Sequence, residues 1–218
     1  MTTPLITRRA LGPMALGALS LALLPRIVRA AAGPPPDRAE AIADAEGWIN
    51  KVTTLKARFL QAAQSGETSE GTLYLSRPGN LRLDYDPPSP IQVIANQGNL
   101  VYYDSKLQQV SYVDLDSTLA GVLISSSVRL DQGKLRVVKT GGSPGVSDIT
   151  VTRRDDPRQG QITLTFTTTP YTLRQWVVLD AQGATTTVSL YDPQLGVAID
   201  PQTFVFNDPR GGQRNQRK

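Results

Sequence analysis

The chain has 218 residues with 23 basic and 19 acidic side chains, and it contains no histidine and no cysteine. These missing residue types exclude histidine-based catalysis, histidine metal sites, disulfides and thiolate chemistry. Four of the 23 basic residues lie before position 33, so the remainder has as many acids as bases. Such a balance is not that of a nucleic-acid-binding surface.

The N-terminal segment has the pattern of an export signal. Arg8 and Arg9 precede an apolar run over 11–24, and alanines at 30–32 offer a cleavage site. We expect 1–32 to be a signal peptide, because the run is shorter than the roughly 20 apolar residues of a membrane-spanning helix. The arginine pair resembles a twin-arginine motif, and an ordinary secretory signal is the alternative. Either route predicts a periplasmic protein.

The remaining chain fits one domain, which we place at 33–209. A basic, polar tail at 210–218 is expected to be disordered. Residues 37–60 follow three prolines and carry apolar side chains at helical spacing, which predicts an amphipathic helix. The alternative for 55–64 is that it forms the first strand.

Most of the downstream sequence predicts antiparallel strands. In 71–85, Leu73 and Leu75 alternate with polar residues before a turn, and Leu81 and Leu83 repeat the pattern after it. Further strands are predicted at 91–96, 100–104, 108–113, 161–167, 173–180 and 185–191, with a last short strand holding Phe204 and Phe206. A short helix at 117–124, capped by Asp116 or Ser117, interrupts them.

Three pairs of aspartates raise an enzymatic alternative, because paired carboxylates are typical of glycosidases. The pairs are Asp84 with Asp86, Asp114 with Asp116, and Asp155 with Asp156. They lie on the water-facing side of a strand, at strand ends or in turns, where aspartate is common. We therefore predict no catalytic residue, no metal and no cofactor, and expect that the protein is not an enzyme.

Five segments carry a resemblance to a known family through their order and spacing. They are 55–61 (LKARFLQ), 71–79 (GTLYLSRPG), 100–104 (LVYYD) with Gln109 and Val110, 173–176 (LRQW) and 204–210 (FVFNDPR). Together they resemble the LolA family of periplasmic outer-membrane lipoprotein carriers. The resemblance covers nearly all of the chain after the predicted signal peptide.

The resemblance implies an α+β fold that is mainly β. Its core is an unclosed antiparallel β-barrel, or half-barrel, covered by a helical lid above a hydrophobic cavity. It also implies that Arg77 acts as a latch, bonding lid backbone when the cavity is empty. Leu81 and Leu83 stand where the family usually has large aromatic residues, so the expected pocket wall is smaller.

The expected cavity residues are inward-facing strand residues together with two from the short helix. They are Leu73, Leu75, Leu81, Leu83, Tyr85, Val93, Leu119, Leu123, Ile162, Leu164, Phe166, Trp176 and Val178. From the pattern alone, the same residues would line a filled core, and Arg77 would be a solvated arginine in a turn. The expectation of a hollow interior comes from the resemblance.

The function implied is that of a periplasmic chaperone, which binds the acyl chains of lipoproteins released from the inner membrane and carries them to the outer membrane. Expected partners are acylated lipoproteins, an inner-membrane ABC transporter that releases them, and an outer-membrane receptor or the outer membrane itself. We expect a monomer that binds no nucleic acid. The alternatives are a carrier of another lipid, such as a glycolipid or hopanoid, and a non-catalytic module that senses acyl chains.

Overall fold

The computed structural model describes residues 37–96, 98–115, 118–119 and 121–209. The predicted signal peptide and basic tail lie outside these residues. Helix α1 spans Arg38–Lys51, and Asp37 caps it by accepting a hydrogen bond from the Glu40 N–H at 2.8 Å. Three β-branched residues, 52–54, follow the helix, and Val52 is already extended. The helix predicted to reach residue 60 therefore ends earlier, and the alternative of a first strand is correct.

Eleven strands are present within the described residues, each antiparallel to its neighbours. The first six are β1 Thr54–Ala63, β2 Thr68–Ser76, β3 Asn80–Tyr85, β4 Ile91–Asn96, β5 Asn99–Asp104 and β6 Gln109–Asp114. The other five are β7 Leu135–Ser143, β8 Val146–Arg153, β9 Gly160–Thr168, β10 Tyr171–Asp180 and β11 Thr185–Leu195.

The strands form a single sheet in the order β6-β5-β4-β3-β2-β1-β11-β10-β9-β8-β7. The first strand is therefore central, and β6 and β7 are the two edges. Since the edges do not pair with each other, the sheet is unclosed, and the mainly β, antiparallel architecture is confirmed. The connection between the edges contains the short helix α2, Gly121–Ile124. It is shorter than the predicted helix, and the proposed caps Asp116 and Ser117 lie outside the described residues.

One face of the sheet carries the apolar core. In β9, Ile162, Leu164 and Phe166 are fully buried, while the intervening threonines point to the other face. Helix α1 packs Ala41 and Ala45 into the same core, and its Trp48 ring meets Phe166 edge-on with centroids 5.6 Å apart. We call this sheet surface the inner face.

The opposite, outer face carries the C-terminal segment. Residues Pro201–Phe204 form a 3₁₀ turn capped by Asp200, so the final strand predicted around Phe204 and Phe206 is wrong. The amide of Asn96 donates to the carbonyl oxygen of Phe204 at 2.9 Å. The ring of Phe206 lies 5.6 Å from that of Tyr103. Alternating phenylalanines here reflect packing of an irregular segment on the sheet.

Candidate functional site

All thirteen residues predicted to line a cavity lie in the apolar cluster on the inner face. Ten are buried: Leu73, Leu75, Leu81, Leu83, Leu119, Leu123, Ile162, Leu164, Phe166 and Trp176. Tyr85, Val93 and Val178 are partly buried and pack against them. The structure thus brings the set together from five strands, β2, β3, β4, β9 and β10, and the α2 region. Their role in holding a ligand stays a prediction.

Arg77 follows β2 and joins the sheet to both helices. Its Nη2 donates to the carbonyl oxygen of Ser125, the residue after α2, and its Nη1 donates to the carbonyl oxygen of Val52, after α1, at 3.4 Å. Burial lowers the pKa of Arg77. Its Nε is buried and has no hydrogen-bond partner among the described residues. Arg77 is therefore a partly desolvated cation held by carbonyl oxygens, and not a solvated turn residue.

Asn50 and Glu46 of α1 fasten the helix to the segment that follows α2. The Asn50 amide donates to the Val128 carbonyl at 2.9 Å and accepts from the Val128 N–H at 2.8 Å. Glu46 accepts from the Leu130 N–H at 2.7 Å and from Nη1 of Arg129 at 3.1 Å. We call α1, α2 and residues 125–130 together the helical layer, because these hydrogen bonds make them one unit over the inner face.

The helical layer and the sheet pack directly against each other. A gap bordered by Trp48, Leu75 and Leu123 has a volume of only about 10 Å³. That is at most enough for one water molecule, and it is far below the space that an acyl chain fills. The predicted hollow is therefore not open in this conformation. A ligand of that size can enter this region only if the helical layer moves away from the sheet.

An open depression of about 760 Å³ continues the inner face where β2, β3 and β5 meet the solvent. Tyr85 and Tyr102 line it, and the Tyr85 hydroxyl donates to the Gln61 side chain at 2.8 Å. Burial raises the pKa of Tyr85 to about 12. The charged residues around this depression, which include Glu67 and Asp104, are all acidic. Because the rings of Tyr85 and Tyr102 line this depression, part of the inner face is open to solvent in this conformation.

A second open depression, of about 440 Å³, borders the helical layer on the side of β7 and β8. Leu115 and Val122 contribute its apolar wall. Its charged lining residues are Arg129, Lys134 and Arg153, all basic. The charged side chains that line the two depressions are therefore of opposite sign.

Two hydroxyl groups are buried on the inner face beneath α1 without a hydrogen-bond partner among the described residues. They are those of Ser147 in β8, which is fully buried, and Tyr171 in β10. Burial raises the pKa of Tyr171 to about 12, and the neighbouring Ser147 hydroxyl lowers it only partly. The two hydroxyls are neighbours, but their geometry is not that of a hydrogen bond. Orphaned buried polar groups are uncommon in folded proteins.

The aspartates considered for catalysis have structural partners. Asp84 pairs with Arg82 at 2.6 Å, Asp86 with Arg58, Asp155 with Arg153 at 2.6 Å, and Asp156 with Arg158 at 3.4 Å. The hydrogen bond from Arg58 lowers the pKa of Asp86, as that from Arg153 does for Asp155. Asp114 ends β6, and Asp116 lies outside the described residues. Asp84, Asp86, Asp155 and Asp156 are thus each paired with an arginine, which is not the arrangement of a free general acid and base.

Other kinds of site were also sought in the described part of the chain. It contains no group of three or more aspartate or glutamate side chains placed to hold a metal ion. None of its helices has the length and apolar character needed to cross a membrane.

Sequence reasoning missed several residues of this site. Strands β7 and β8 were not predicted, so Ser147 was not considered, and neither were Asn50 and Glu46. A period-two pattern does run through Ser147, Ile149 and Val151, and it could have identified β8. Thr150 and Thr152, on the opposite side of the strand, are also buried, which the alternation does not predict.

A family model described as "Outer membrane lipoprotein carrier protein LolA" matches residues 50–207, which is most of the chain. The chain belongs to this family.

Individual relatives are distant. An outer-membrane lipoprotein carrier protein of Pseudomonas paraeruginosa is 27% identical over 183 residues, covering 80% of this chain and 87% of the relative. The protein of the same name from Dechloromonas aromatica is 26% identical over 205 residues, covering 90% and 93%. The solved structure of a LolA superfamily protein from Nitrosomonas europaea superposes with a TM-score of 0.45 at 8% identity, covering 77% of this chain and 97% of that one.

Proposed function

We propose that the protein is a periplasmic chaperone that carries acylated lipoproteins from the inner to the outer membrane. The observation that supports this most directly is the continuous apolar inner face beneath a helical layer that polar contacts fasten at its border. Family membership and the carrier names of the relatives support the choice of cargo. The N-terminal export pattern supports the periplasm as its location.

In this proposal the helical layer is the lid, and the compact interior is the empty, closed state. Removing about 15 methylene groups from water stabilises a bound acyl chain by roughly 12 kcal/mol. A rigid open pocket would therefore release its cargo very slowly. Closure of the lid lowers the net binding affinity for the acyl chain. The cargo has to break the hydrogen bonds of Arg77, Asn50 and Glu46 before the inner face is free.

The proposed sequence of events follows from this balance. A transporter in the inner membrane delivers the acyl chains and lifts the lid, while the protein part of the cargo stays outside. A receptor in the outer membrane, or the membrane itself, then offers a more favourable apolar environment. Closure of the empty lid prevents the chains from returning. The carrier acts as a monomer and makes no covalent bond with its cargo.

The test is native mass spectrometry of the full chain, exported to the periplasm of a Gram-negative host and purified without detergent. We expect a fraction whose added mass equals that of a triacylated lipoprotein, and this fraction should disappear when acceptor membranes are added. Added masses of free glycolipid or hopanoid alone would instead indicate a carrier of another lipid. A protein that is always empty would contradict a carrier function.

Two leucine substitutions provide a matched pair for this experiment. Leu83→Asp places a charge at a position 8% exposed on the inner face and should abolish cargo capture. Leu107→Asp makes the same change in the β5–β6 turn, where the side chain is 67% exposed, and should leave capture unchanged. Circular dichroism identifies any variant that fails to fold. Equal capture by the two folded variants would show that the cargo does not use the inner face.

A further inference from the structure

The hydroxyl groups of Ser147 and Tyr171 are neighbours buried between α1 and the sheet. Ser147 lies opposite Phe166 in the β8–β9 pairing, and Ile149 and Val151, on the same side of its strand, belong to the apolar core. Neither hydroxyl finds a partner among the described residues. An alanine and a phenylalanine would fill these positions without leaving a buried donor unpaired. Their presence indicates a partner that is absent from the closed state.

The aromatic residues around the two hydroxyls place them at the contact between α1 and the sheet. The Tyr171 ring stacks on Phe166 with centroids 5.0 Å apart and an interplanar angle of 25°. Phe166 in turn meets the edge of Trp48 of α1. Trp48 also borders the small gap beside Arg77. If α1 moves away from the sheet as the proposed function requires, the contact between Trp48 and Phe166 opens, and both hydroxyls border the space that becomes free.

The chemistry of these groups restricts what that ligand presents. Each hydroxyl can donate one hydrogen bond, and so can the orphaned Nε of Arg77, which borders the same small gap as Trp48. A hydrocarbon chain has no acceptor for them, whereas an acyl ester has a carbonyl oxygen. The carboxylate of Asp44 acts electrostatically on Tyr171. A neutral carbonyl oxygen accepts from such donors without adding a second negative charge near that carboxylate.

We propose that Ser147 and Tyr171 form a polar anchor that donates hydrogen bonds to the ester carbonyl oxygens at the head of the acyl chains. This inference rests on the proposed function and adds a chemical selection to it. The chains contribute affinity through apolar burial, while the anchor fixes their depth and distinguishes acyl esters from alkyl ethers and plain hydrocarbons. No covalent bond is made or broken in this recognition.

The experiment compares two lipids that differ only in their carbonyl groups: dioctanoylglycerol, a diester, and dioctylglycerol, its diether analogue. Each displaces a fluorescent apolar probe from the purified full chain. We expect the wild-type protein to bind the diester about tenfold more tightly, because 1.4 kcal/mol corresponds to a factor of ten. The double variant Ser147→Ala, Tyr171→Phe should lose this preference and keep its affinity for the diether. Tyr112→Phe, at an exposed tyrosine of β6, is the matched control and should keep the preference.

The outcomes separate this inference from the function on which it rests. If the wild-type protein binds neither lipid, the carrier function itself is contradicted. If it binds both equally, the carrier function stands and the anchor is wrong. Urea denaturation adds an independent measurement: the double variant should unfold at the same or a higher urea concentration, because it removes unpaired buried donors. A clearly lower midpoint would show that the hydroxyls have a structural partner, and this would also overturn the anchor.

Discussion

Arg77 donates a hydrogen bond to the carbonyl oxygen of Ser125, which lies 48 residues further along the chain. A second link joins the same two regions, because the Gly79 N–H donates to the Ile124 carbonyl at 2.7 Å. The turn between β2 and β3 therefore holds the end of α2. Of these two links only the first uses a side chain, which makes Arg77 the position where closure can be changed with least effect on the backbone.

We predict that Arg77→Leu shifts the protein toward the open state. The variant loses charge-assisted hydrogen bonds to the helical layer. Its affinity for an apolar fluorescent probe should rise about tenfold, which corresponds to 1.4 kcal/mol, and transfer of lipoprotein to acceptor membranes should slow. Arg58→Leu is the control, because Arg58 forms its ion pairs with Glu70 and Asp86 away from the helical layer. Normal transfer by Arg77→Leu would remove the latch role.

Asn50→Ala should have a related effect through a different contact. It removes both hydrogen bonds to Val128, which we expect to cost about 1–2 kcal/mol of folding stability. It should also raise probe affinity, and when combined with Arg77→Leu the effects should not add, because Nη2 of Arg77 also contacts the Asn50 side chain at 3.4 Å. Probe titration and urea denaturation measure the two effects. Lys51→Ala, next to it on α1, is the control, and full additivity would show that the two residues act independently.

Gly71→Ala should destabilise the fold by about 1–3 kcal/mol. A methyl group at this position in β2 would overlap the carbonyl oxygen of Asp84 and lie 2.6 Å from the ring of Phe59. Gly47→Ala provides a control of opposite sign, because nothing lies within 4 Å of that position in α1. It should stabilise the protein by roughly 0.5–1 kcal/mol, since alanine favours the helix. Thermal and urea denaturation measure both, and equal stability of the two variants would contradict the predicted packing around Gly71.

Stability should fall as the pH rises from about 10 to about 12. Burial raises the pKa of Tyr85 and Tyr171 to about 12, whereas a tyrosine in the unfolded chain titrates near 10. Between these values the folded protein holds more protons than the unfolded chain, so raising the pH favours unfolding. Each tyrosine contributes at most about 1.4 kcal/mol per pH unit.

Urea denaturation at several pH values tests this dependence. Tyr85→Phe should make the alkaline loss of stability less steep. The variant also loses the hydrogen bond to Gln61, which lowers its stability at every pH. The quantity to compare is therefore the slope of stability against pH. Tyr191→Phe, at an exposed tyrosine, should leave the slope unchanged. If all three proteins show the same slope, buried tyrosines do not control stability in this range.

The local sequence pattern predicts the regular strands of this fold well, because their two faces differ. Leu73 and Leu75 alternate with polar residues in β2, and Ile162 and Leu164 do so in β9. In β8 Ile149 and Val151 show the same alternation, but the pattern does not reveal that Thr150 on the opposite side is buried as well. The Thr150 hydroxyl is satisfied by the Thr163 hydroxyl on the next strand at 2.9 Å, a partner that no local pattern reveals.

The contacts of the candidate site were less predictable than its apolar surface. Alternation alone places Arg77 at the end of the inner face, but its bond to Ser125 depends on how the two sheet edges are connected. Likewise, Asn50 is one exposed polar residue among several in α1, and its pairing with Val128 spans 78 positions. Long-range polar contacts of this kind follow from tertiary packing. Residue type and spacing do not specify them.

The central position of β1 has a consequence for biogenesis. Phe59 pairs with Leu190, and Ala63 with Thr186, so the middle of the sheet joins strands from opposite ends of the domain. A chain synthesised from its N-terminus cannot complete this pairing until nearly all of the domain has been made. Such non-local pairing slows folding and leaves strand edges exposed meanwhile. Neither half of the sheet can therefore be completed at β1 before the other half is available, and a partly folded chain exposes the edges of both halves.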